Sequence, residues 1–182
     1  MAMMTHSTVT SDRRALLLGA SSLFGLAACG PNPANAQTSR GATGSGSEAA
    51  FKDSPFRKIS DREWQQRLGE PSWGILRHEE TERAGTGPFL NEKRKGTYVC
   101  KGCDLPLFKS EWKYESGTGW PSFYDAIKSN VATKTDYKIG LPRTEYHCAQ
   151  CLGHQGHIFD DGPRPTGLRY CNNGYALKFV AA

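Results

Sequence analysis

Residues 144–180 read TEYHCAQCLGHQGHIFDDGPRPTGLRYCNNGYALKFV, and this stretch decides the fold. Short runs that are rich in aromatic residues, and in which apolar and polar residues alternate, are separated by turn signals such as Gly162-Pro163 and Asn173-Gly174. The pattern predicts four strands here, over Thr144–Cys148, His157–Phe159, Leu168–Asn173 and Ala176–Val180. Upstream it predicts two more, over Thr97–Cys100 and Val131–Ile139. We therefore expect a mainly β domain.

Short helices are expected before the strands. Ser60-Asp61-Arg62-Glu63 is a capping box, in which Ser60 caps a helix that ends at Gly69. A second short turn is expected over Trp73–Leu76. The net charge of +5 is spread along the chain except at Lys93–Lys95, where a solvated loop is favoured over a nucleic-acid patch.

The N-terminal 36 residues are interpreted as an export signal. Arg13-Arg14 precedes an apolar run, 15–28, that is too short to cross a membrane but suits the apolar region of a signal peptide. Paired arginines in this position are typical of twin-arginine export. We therefore expect a periplasmic or extracytoplasmic protein that has no nucleic-acid partner.

Two cleavage points fit this signal. Small residues favour cleavage after Ala36, whereas a lipobox-like Leu26–Cys29 favours cleavage before Cys29 and a lipid anchor there. Residues 37–50 are rich in Gly, Ser, Ala and Thr and are predicted to be a flexible linker. The folded domain is then 51–182.

Four cysteines form two CxxC pairs, and 44 residues separate the pairs. A CxxC turn directs two sulfur atoms to one point, and two such turns supply the four thiolates that a structural Zn²⁺ prefers. Two redox pairs or two disulfides remain as alternatives. We favour one structural zinc, with the ligands Cys100, Cys103, Cys148 and Cys151.

Cys171 is then the one cysteine of the folded domain without a partner. In a strand its side chain shares a face with Arg169 and Asn173. A guanidinium beside a thiol stabilises the reactive thiolate, so we favour a reactive thiol over an inert buried one.

A second cluster follows the second CxxC pair. His157, Phe159 and Asp161 share a face under strand alternation, and a carboxylate near a histidine fixes its tautomer and raises its pKa. This arrangement suits a proton donor, with two surface histidines as the alternative. Trp120 and Phe123 are candidates for an apolar pocket, although on their own we favour the core for them.

Three stretches together resemble one known family. They are GTYVCKGCDLPLF at 96–108, KYESGTGWPSFYDAI at 113–127 and the run from Cys148 to Phe179. In order and spacing they are similar to the B-type methionine sulfoxide reductases, which reduce methionine-R-sulfoxide. The resemblance covers 51–180. It implies two antiparallel sheets that form a small zinc-stapled β domain with short N-terminal helices.

The resemblance also implies roles for individual residues. The four CxxC cysteines match zinc ligands, and Cys171 matches the nucleophile that attacks the sulfoxide sulfur and becomes a sulfenic acid. His157 matches the histidine that protonates the sulfoxide oxygen. The remaining matches are polar or apolar neighbours of that chemistry: His154 and Asn173 position the oxygen, Asp161 and Arg169 tune the histidine and the thiol, and Trp120 and Phe123 hold the substrate methyl group.

Two departures from the family pattern bear on mechanism. Thr118 occupies the position of the cysteine that resolves the sulfenic acid in many members, so we expect a thioredoxin-like protein or a small thiol to reduce Cys171. Asn172 and Gly174 replace an apolar residue and a serine beside the nucleophile. The expected substrates are oxidised proteins or free methionine-R-sulfoxide. The protein is expected to be a monomer. The rival interpretations are a zinc-ribbon interaction module without activity and a thiol–disulfide oxidoreductase.

Overall fold

The computed structural model describes residues 45–182. The predicted signal, 1–36, and the first part of the predicted linker, 37–44, lie outside the described residues. Three α-helices come first: α1 Ser45–Ala49, α2 Asp61–Leu68 and α3 Ser72–His78. In this part of the chain, no helix has both the length and the apolar composition needed to span a bilayer.

The helix α1 corrects the linker prediction. Residues 45–49 are helical, and the hydroxyl of Ser47 donates to the carbonyl of Val131 at 2.8 Å. The guanidinium of Arg57 donates to the carbonyl of Glu48 at 3.0 Å. These contacts dock α1 onto the domain, so the folded part begins before Phe51.

The capping box begins α2 as expected. The Ser60 hydroxyl accepts the backbone N–H of Glu63 at 3.3 Å, and the helix ends at Gly69, which has a φ of 62°. The left-handed conformation there favours glycine. The short turn expected at Trp73 is the longer helix α3.

Nine strands follow in the described residues: β1 Gly96–Cys100, β2 Pro106–Lys109, β3 Lys113–Tyr114, β4 Ser122–Phe123, β5 Val131–Asp136, β6 Arg143–Cys148, β7 His154–Phe159, β8 Arg169–Asn172 and β9 Leu177–Ala181. They form two antiparallel sheets, one of three strands in the order β2-β1-β9 and one of six in the order β3-β4-β8-β7-β6-β5. The mainly β fold with two antiparallel sheets is therefore confirmed. Four short 3₁₀ helices lie at Pro55–Lys58, Ser110–Trp112, Lys128–Asn130 and Gly174–Ala176.

All six predicted strands are present with shifted ends, and β2, β3 and β4 are additional. The main shift is in β5, which ends at Asp136 and not at Ile139. The chain turns there, since the N–H of Gly140 donates to the carbonyl of Tyr137 at 2.9 Å. The three additional strands are four, two and two residues long, too short to show alternation.

The core lies between the two sheets and is largely aromatic. Phe108 of the smaller sheet stacks on Phe123 of the larger sheet, with 4.2 Å between ring centroids. Tyr98 contacts the same Phe123 ring edge-on at 4.9 Å. Aromatic pairs of this kind add about 0.5–1.5 kcal/mol to the burial of their apolar area.

The opposite face of the six-stranded sheet carries the polar residues. One cross-strand row runs through all six strands, from Tyr114 through Ser122, Cys171, His157 and Glu145 to Lys134. Directly opposed residues of antiparallel strands point to the same side of a sheet. The register therefore places the predicted nucleophile beside the predicted histidine.

Candidate functional site

The four CxxC cysteines form one cluster. Their sulfur atoms all lie within 4.8 Å of one another. The closest approaches join the two pairs: Cys100 to Cys151 and Cys103 to Cys148, each 3.5 Å between Sγ atoms. A disulfide needs about 2.05 Å, so these are free thiols that share one centre.

The two turns repeat the same backbone geometry. In the first, Asp104 N–H donates to Cys100 O at 2.9 Å, and in the second Leu152 N–H donates to Cys148 O at 2.9 Å. Asp104 and Leu152 both have positive φ, at 59° and 62°. The paired knuckles aim their sulfur atoms at one point, where a tetrahedral ion bound at about 2.3 Å to sulfur would fit.

Cys171 is partly buried, and its sulfur has two polar neighbours. Burial raises the pKa of the Cys171 thiol, against the charge and hydrogen bond of Arg169 and the hydrogen bond of Thr118, which lower it. Burial prevails, so the free protein holds a neutral thiol. Arg169 lies beside the sulfur as expected, and its effect on the pKa of Cys171 is smaller than the opposing effect of burial.

Thr118 belongs to a chain of three hydrogen-bonded hydroxyl groups. The hydroxyl of Ser116 lies 2.9 Å from that of Thr118 and 2.8 Å from that of Ser122. Ser122 is fully buried and lies opposite Cys171 in the register. Ser122 can also donate to the carbonyl of Trp120, at 3.2 Å. The hydroxyl chain can therefore turn its hydrogen bonds toward the sulfur or away from it.

His157 has a different carboxylate partner from the one expected. Its Nε2 lies 2.7 Å from Oδ2 of Asp136, which also accepts from Arg143 at 2.5 Å. Asp161 instead forms two hydrogen bonds with Arg169, each 2.8 Å. The chain leaves strand β7 at Phe159, so strand alternation does not extend to Asp161.

The pKa of His157 is lowered, and not raised as the sequence suggested. Burial is the largest cause, and Arg143 and His154 act in the same direction. The hydrogen bond with Asp136 opposes them without prevailing. At rest the ring is neutral, and donation from Nε2 to Asp136 leaves Nδ1 as the basic nitrogen.

His154 is buried next to this pair. Its Nδ1 lies 2.7 Å from Oε1 of Glu145, and its ring centroid lies 5.5 Å from that of His157. Its Nε2 has no hydrogen-bond partner in the described part of the chain. His154 does not line the pocket described next, so it contacts the site through the His157 ring.

A pocket of about 130 Å³ opens on the Cys171 sulfur. Its wall includes Trp120, Arg143, His157, Phe159, Cys171 and Asn173. The Trp120 indole N–H donates to the backbone carbonyl of Glu82 at 3.2 Å, which fixes the ring. A larger groove of about 620 Å³ includes Lys93–Lys95 but neither Cys171 nor the histidines.

Phe123 is not part of this pocket. Its side chain is fully buried between the sheets, where it stacks on Phe108. In β4 it alternates with Ser122, so Ser122 faces the site and Phe123 faces the core. The substrate-binding prediction is therefore wrong for Phe123, whereas Trp120 lies at the pocket.

Asn173 directly follows strand β8 and is almost fully buried. Its amide N–H donates to the carbonyl of Gln155 at 3.0 Å, and its amide oxygen accepts the N–H of Glu82 at 3.1 Å. The Glu82 carboxylate in turn accepts the N–H groups of Gly174 and Tyr175, at 2.8 and 3.0 Å. Glu82 therefore holds this end of the site together.

The second departure from the expected pattern, at Asn172 and Gly174, has structural reasons here. Asn172 is fully buried on the core face, where it accepts from the Tyr146 hydroxyl at 2.5 Å and donates to the carbonyl of Asn173 at 2.7 Å. A Cβ atom on Gly174 would lie 2.3 Å from the carbonyl oxygen of Pro88, closer than real Cβ atoms approach. Glycine is therefore required at 174 by this packing.

Sequence reasoning missed Asp136, Arg143 and Glu82. Asp136 ends β5 and Arg143 begins β6, and the two face each other in the register, so a hairpin pairing of these strands with the observed ends would have indicated them. Nothing local marks Glu82, since its partners are 38 to 93 residues away.

The comparisons with known proteins agree with this geometry. Residues 68–181 match the SelR domain. The chain is 53% identical to peptide methionine sulfoxide reductase B1, chloroplastic, from Arabidopsis thaliana over 69% of this chain and 63% of that protein. It is also 53% identical to the protein of the same name from Oryza sativa subsp. japonica, over 66% of this chain and 56% of that protein.

A bacterial relative is covered more fully. The chain is 52% identical to peptide methionine sulfoxide reductase MsrB from Leptospira interrogans, over 66% of this chain and 92% of that protein. For the protein of the same name from Agrobacterium fabrum the identity is 47%, over 69% and 94%. The chain therefore belongs to the SelR domain family, that of the B-type methionine sulfoxide reductases.

Proposed function

We propose that this protein reduces methionine-R-sulfoxide to methionine, with Cys171 as the nucleophile. One observation carries the proposal: the Cys171 sulfur faces His157 across adjacent strands, at a pocket walled by Trp120. A thiol, a titratable ring and an aromatic wall are the groups that a partly apolar sulfoxide needs. The names of the bacterial relatives support the same reaction.

The first step forms sulfenic acid on Cys171 and releases methionine. The thiol and the sulfoxide together contain every atom of the two products, because the sulfoxide oxygen ends on the cysteine sulfur. The sulfoxide sulfur is reduced by two electrons, and Cys171 is oxidised by two. No further proton or electron is needed at this stage.

Cys171 and His157 are both neutral at rest, and the Cys171 thiol supplies the proton that this step requires. Burial raises the pKa of Cys171 and lowers that of His157, so one proton sits on sulfur and none is added to the ring. We propose that His157 takes this proton as the sulfur attacks and passes it to the sulfoxide oxygen. Positioned proton transfer typically contributes about 10²–10⁴-fold to a rate.

His154, Arg169 and Asn173 support this step as neighbours of the reacting groups. Arg169 stabilises negative charge on sulfur, and Asp161 holds the guanidinium in place. Asn173 fixes the end of the catalytic strand at the pocket wall. The unpartnered Nε2 of the buried His154 leaves a polar atom beside His157 for this chemistry.

Regeneration requires an external thiol. Thr118 lies beside Cys171, and the other cysteines of the described residues all belong to the four-sulfur cluster. A first thiol therefore condenses with the sulfenic acid to give water and a mixed disulfide, and a second thiol restores Cys171. A thioredoxin-like protein or a small thiol fits this role.

We further propose that the four-sulfur cluster holds one structural Zn²⁺. Cys100, Cys103, Cys148 and Cys151 would bind it, and the ion would cross-link the loops that precede β2 and β7. Residues 1–36 are proposed to be an export signal, with a lipid anchor at Cys29 as the alternative to cleavage after Ala36. A monomer in the periplasm is the corresponding proposal for the mature protein.

The proposal is tested by comparing the unaltered protein with Cys171→Ser. We expect turnover of an R-sulfoxide peptide with dithiothreitol to disappear in Cys171→Ser, while metal content and thermal unfolding stay unchanged. A sulfenic-acid probe should label Cys171 after one substrate equivalent when no thiol is present. Normal turnover in Cys171→Ser would refute the assignment of the nucleophile.

A further inference from the structure

The loop between β5 and β6 exposes an unusual amount of apolar surface. Five large apolar side chains are exposed in the described residues, and three of them lie within five positions: Tyr137 at 67%, Ile139 at 62% and Leu141 at 66%. Single exposed apolar residues are common and need no explanation. A group of three on one loop is typical of a binding surface.

This loop, 137–142, is held in place by hydrogen bonds. The backbone N–H of Lys138 donates to Oδ1 of Asp136 at 2.7 Å. The Lys138 ammonium donates to the carbonyls of His78 and Glu79 at the end of α3, at 3.1 and 3.2 Å. The apolar side chains are therefore presented on a preorganised loop, which reduces the entropy that binding would cost.

The loop is joined directly to the candidate active site. Asp136 and Arg143 flank it, and they form an ion pair of 2.5 Å. Arg143 lines the pocket, and Asp136 accepts from the pocket residue His157. Leu141 is two residues from Arg143, a span of about 7 Å along an extended chain. The exposed apolar side chains therefore lie on a loop whose two ends are anchored at the pocket.

The size of the pocket limits what it encloses. Sites that enclose a whole small ligand measure about 300–1,000 Å³. The pocket at Cys171 has about 130 Å³, enough for the end of one side chain. The backbone and the neighbouring residues of a polypeptide substrate must then lie outside it, on the rim.

We propose that the loop 137–142 is a docking surface for polypeptide substrates, and that it contacts the apolar side chains next to an oxidised methionine. The inference rests on the proposed reduction of methionine sulfoxide and assigns the surface that contacts the residues next to the oxidised one. The apolar surface matches methionine's usual neighbours, since buried segments are rich in apolar residues. Contact with the loop also acts on His157, because Asp136 hydrogen-bonds both the loop and the ring.

The test compares two substrates in one variant, Tyr137→Ser/Ile139→Ser/Leu141→Ser. The first substrate is a heptapeptide with leucine and valine on both sides of a central methionine-R-sulfoxide. The second is N-acetyl-methionine-R-sulfoxide amide, which has no flanking side chains. Dithiothreitol serves as the reductant, so that docking of a protein reductant has no part in the rates. Metal content and thermal unfolding check that the variant is folded.

We expect kcat/KM for the peptide to fall by about tenfold, and kcat/KM for the amide to stay within about twofold. The matched control is Val180→Ser, which removes an exposed apolar side chain of β9 outside the loop and should change neither rate. Moving aspartate into the flanks of the peptide should abolish the difference between the unaltered protein and the loop variant.

Three results would overturn the proposal. The first is an unchanged peptide rate in the loop variant. The second is an equal loss on peptide and amide, which would make the loop a support of the site. The third is an unchanged peptide rate with dithiothreitol together with a raised KM for thioredoxin, which would make the loop a reductant surface. An unaltered protein that reduces neither substrate would instead refute the proposed function, and this inference with it.

Discussion

The His157 ring is hydrogen-bonded to Asp136, at 2.7 Å from Nε2 to Oδ2, and not to Asp161, which binds Arg169. This pairing fixes the tautomer of the ring, because a carboxylate accepts the proton on Nε2. It also replaces Asp161, the carboxylate that the sequence suggests for the histidine, by Asp136. Asp136 acts on the histidine, whereas Asp161 binds Arg169 and raises the pKa of the thiol by its own charge.

Replacement of Asp136 should therefore change the pH profile. The Asp136 hydrogen bond raises the pKa of His157 against the effect of burial, so Asp136→Asn should lower that pKa further. Because the ring must be neutral to take the proton from Cys171, the acidic limb of kcat/KM should move to lower pH. We also expect kcat to fall by about 10- to 100-fold, since the protonated ring loses its counter-charge.

Asp161→Asn is the matched control for this experiment. Asp161 raises the pKa of Cys171, so its removal should lower the pKa of the thiol and leave the limb that belongs to His157 in place. Rates measured between pH 5 and pH 10 would distinguish the two variants. Identical profiles for both variants would contradict separate roles.

Thr118 should increase the reactivity of Cys171. Its hydrogen bond lowers the pKa of the thiol, so Thr118→Val should raise that pKa, whereas Thr118→Ser retains the hydroxyl. A hydrogen bond of about 1 kcal/mol corresponds to a fivefold slower alkylation of Cys171 at pH 7 in the valine variant. Peptide mass mapping of iodoacetamide labelling separates Cys171 from the other cysteines. Equal rates in the valine and serine variants would show that the hydroxyl has no such effect.

The four-sulfur cluster should determine stability and not the chemical step. Cys103→Ser should lose the metal and lower the unfolding temperature by more than about 10 °C, because metal binding to such a site contributes folding free energy. Cys171→Ser, at a cysteine outside the cluster, should change neither. Elemental analysis and thermal unfolding provide the two readouts. A stable Cys103→Ser protein without metal would contradict this role of the cluster.

Truncation of Phe123 should mainly reduce stability, whereas truncation of Trp120 should mainly weaken substrate binding. Phe123→Ala removes a buried ring from between the sheets and should cost about 3–5 kcal/mol of unfolding free energy. Trp120→Ala removes a wall of the pocket and should raise KM for the sulfoxide with a smaller loss of stability. Denaturant unfolding and steady-state kinetics on the two variants check this difference. A large rise in KM for a folded Phe123→Ala protein would return that ring to the pocket.

Local sequence patterns carry much of this structure. The two CxxC turns, the capped helix and the six longer strands are visible because each depends on residues close together in the chain. Alternation in β8 also places Arg169 beside Cys171. The position of Asp136 depends on the pairing of β5, β6 and β7, which no local pattern records. The burial that lowers the pKa of His157 and raises that of Cys171 likewise arises only when the sheets and loops pack together.

The most direct test is turnover of the two epimers of a methionine sulfoxide peptide, each supplied separately with thioredoxin or dithiothreitol as reductant. We predict that the R epimer is reduced to methionine and that the S epimer is not. Cys171→Ser should reduce neither epimer. Reduction of the S epimer alone, or of neither epimer by the unaltered protein, would contradict the proposed function.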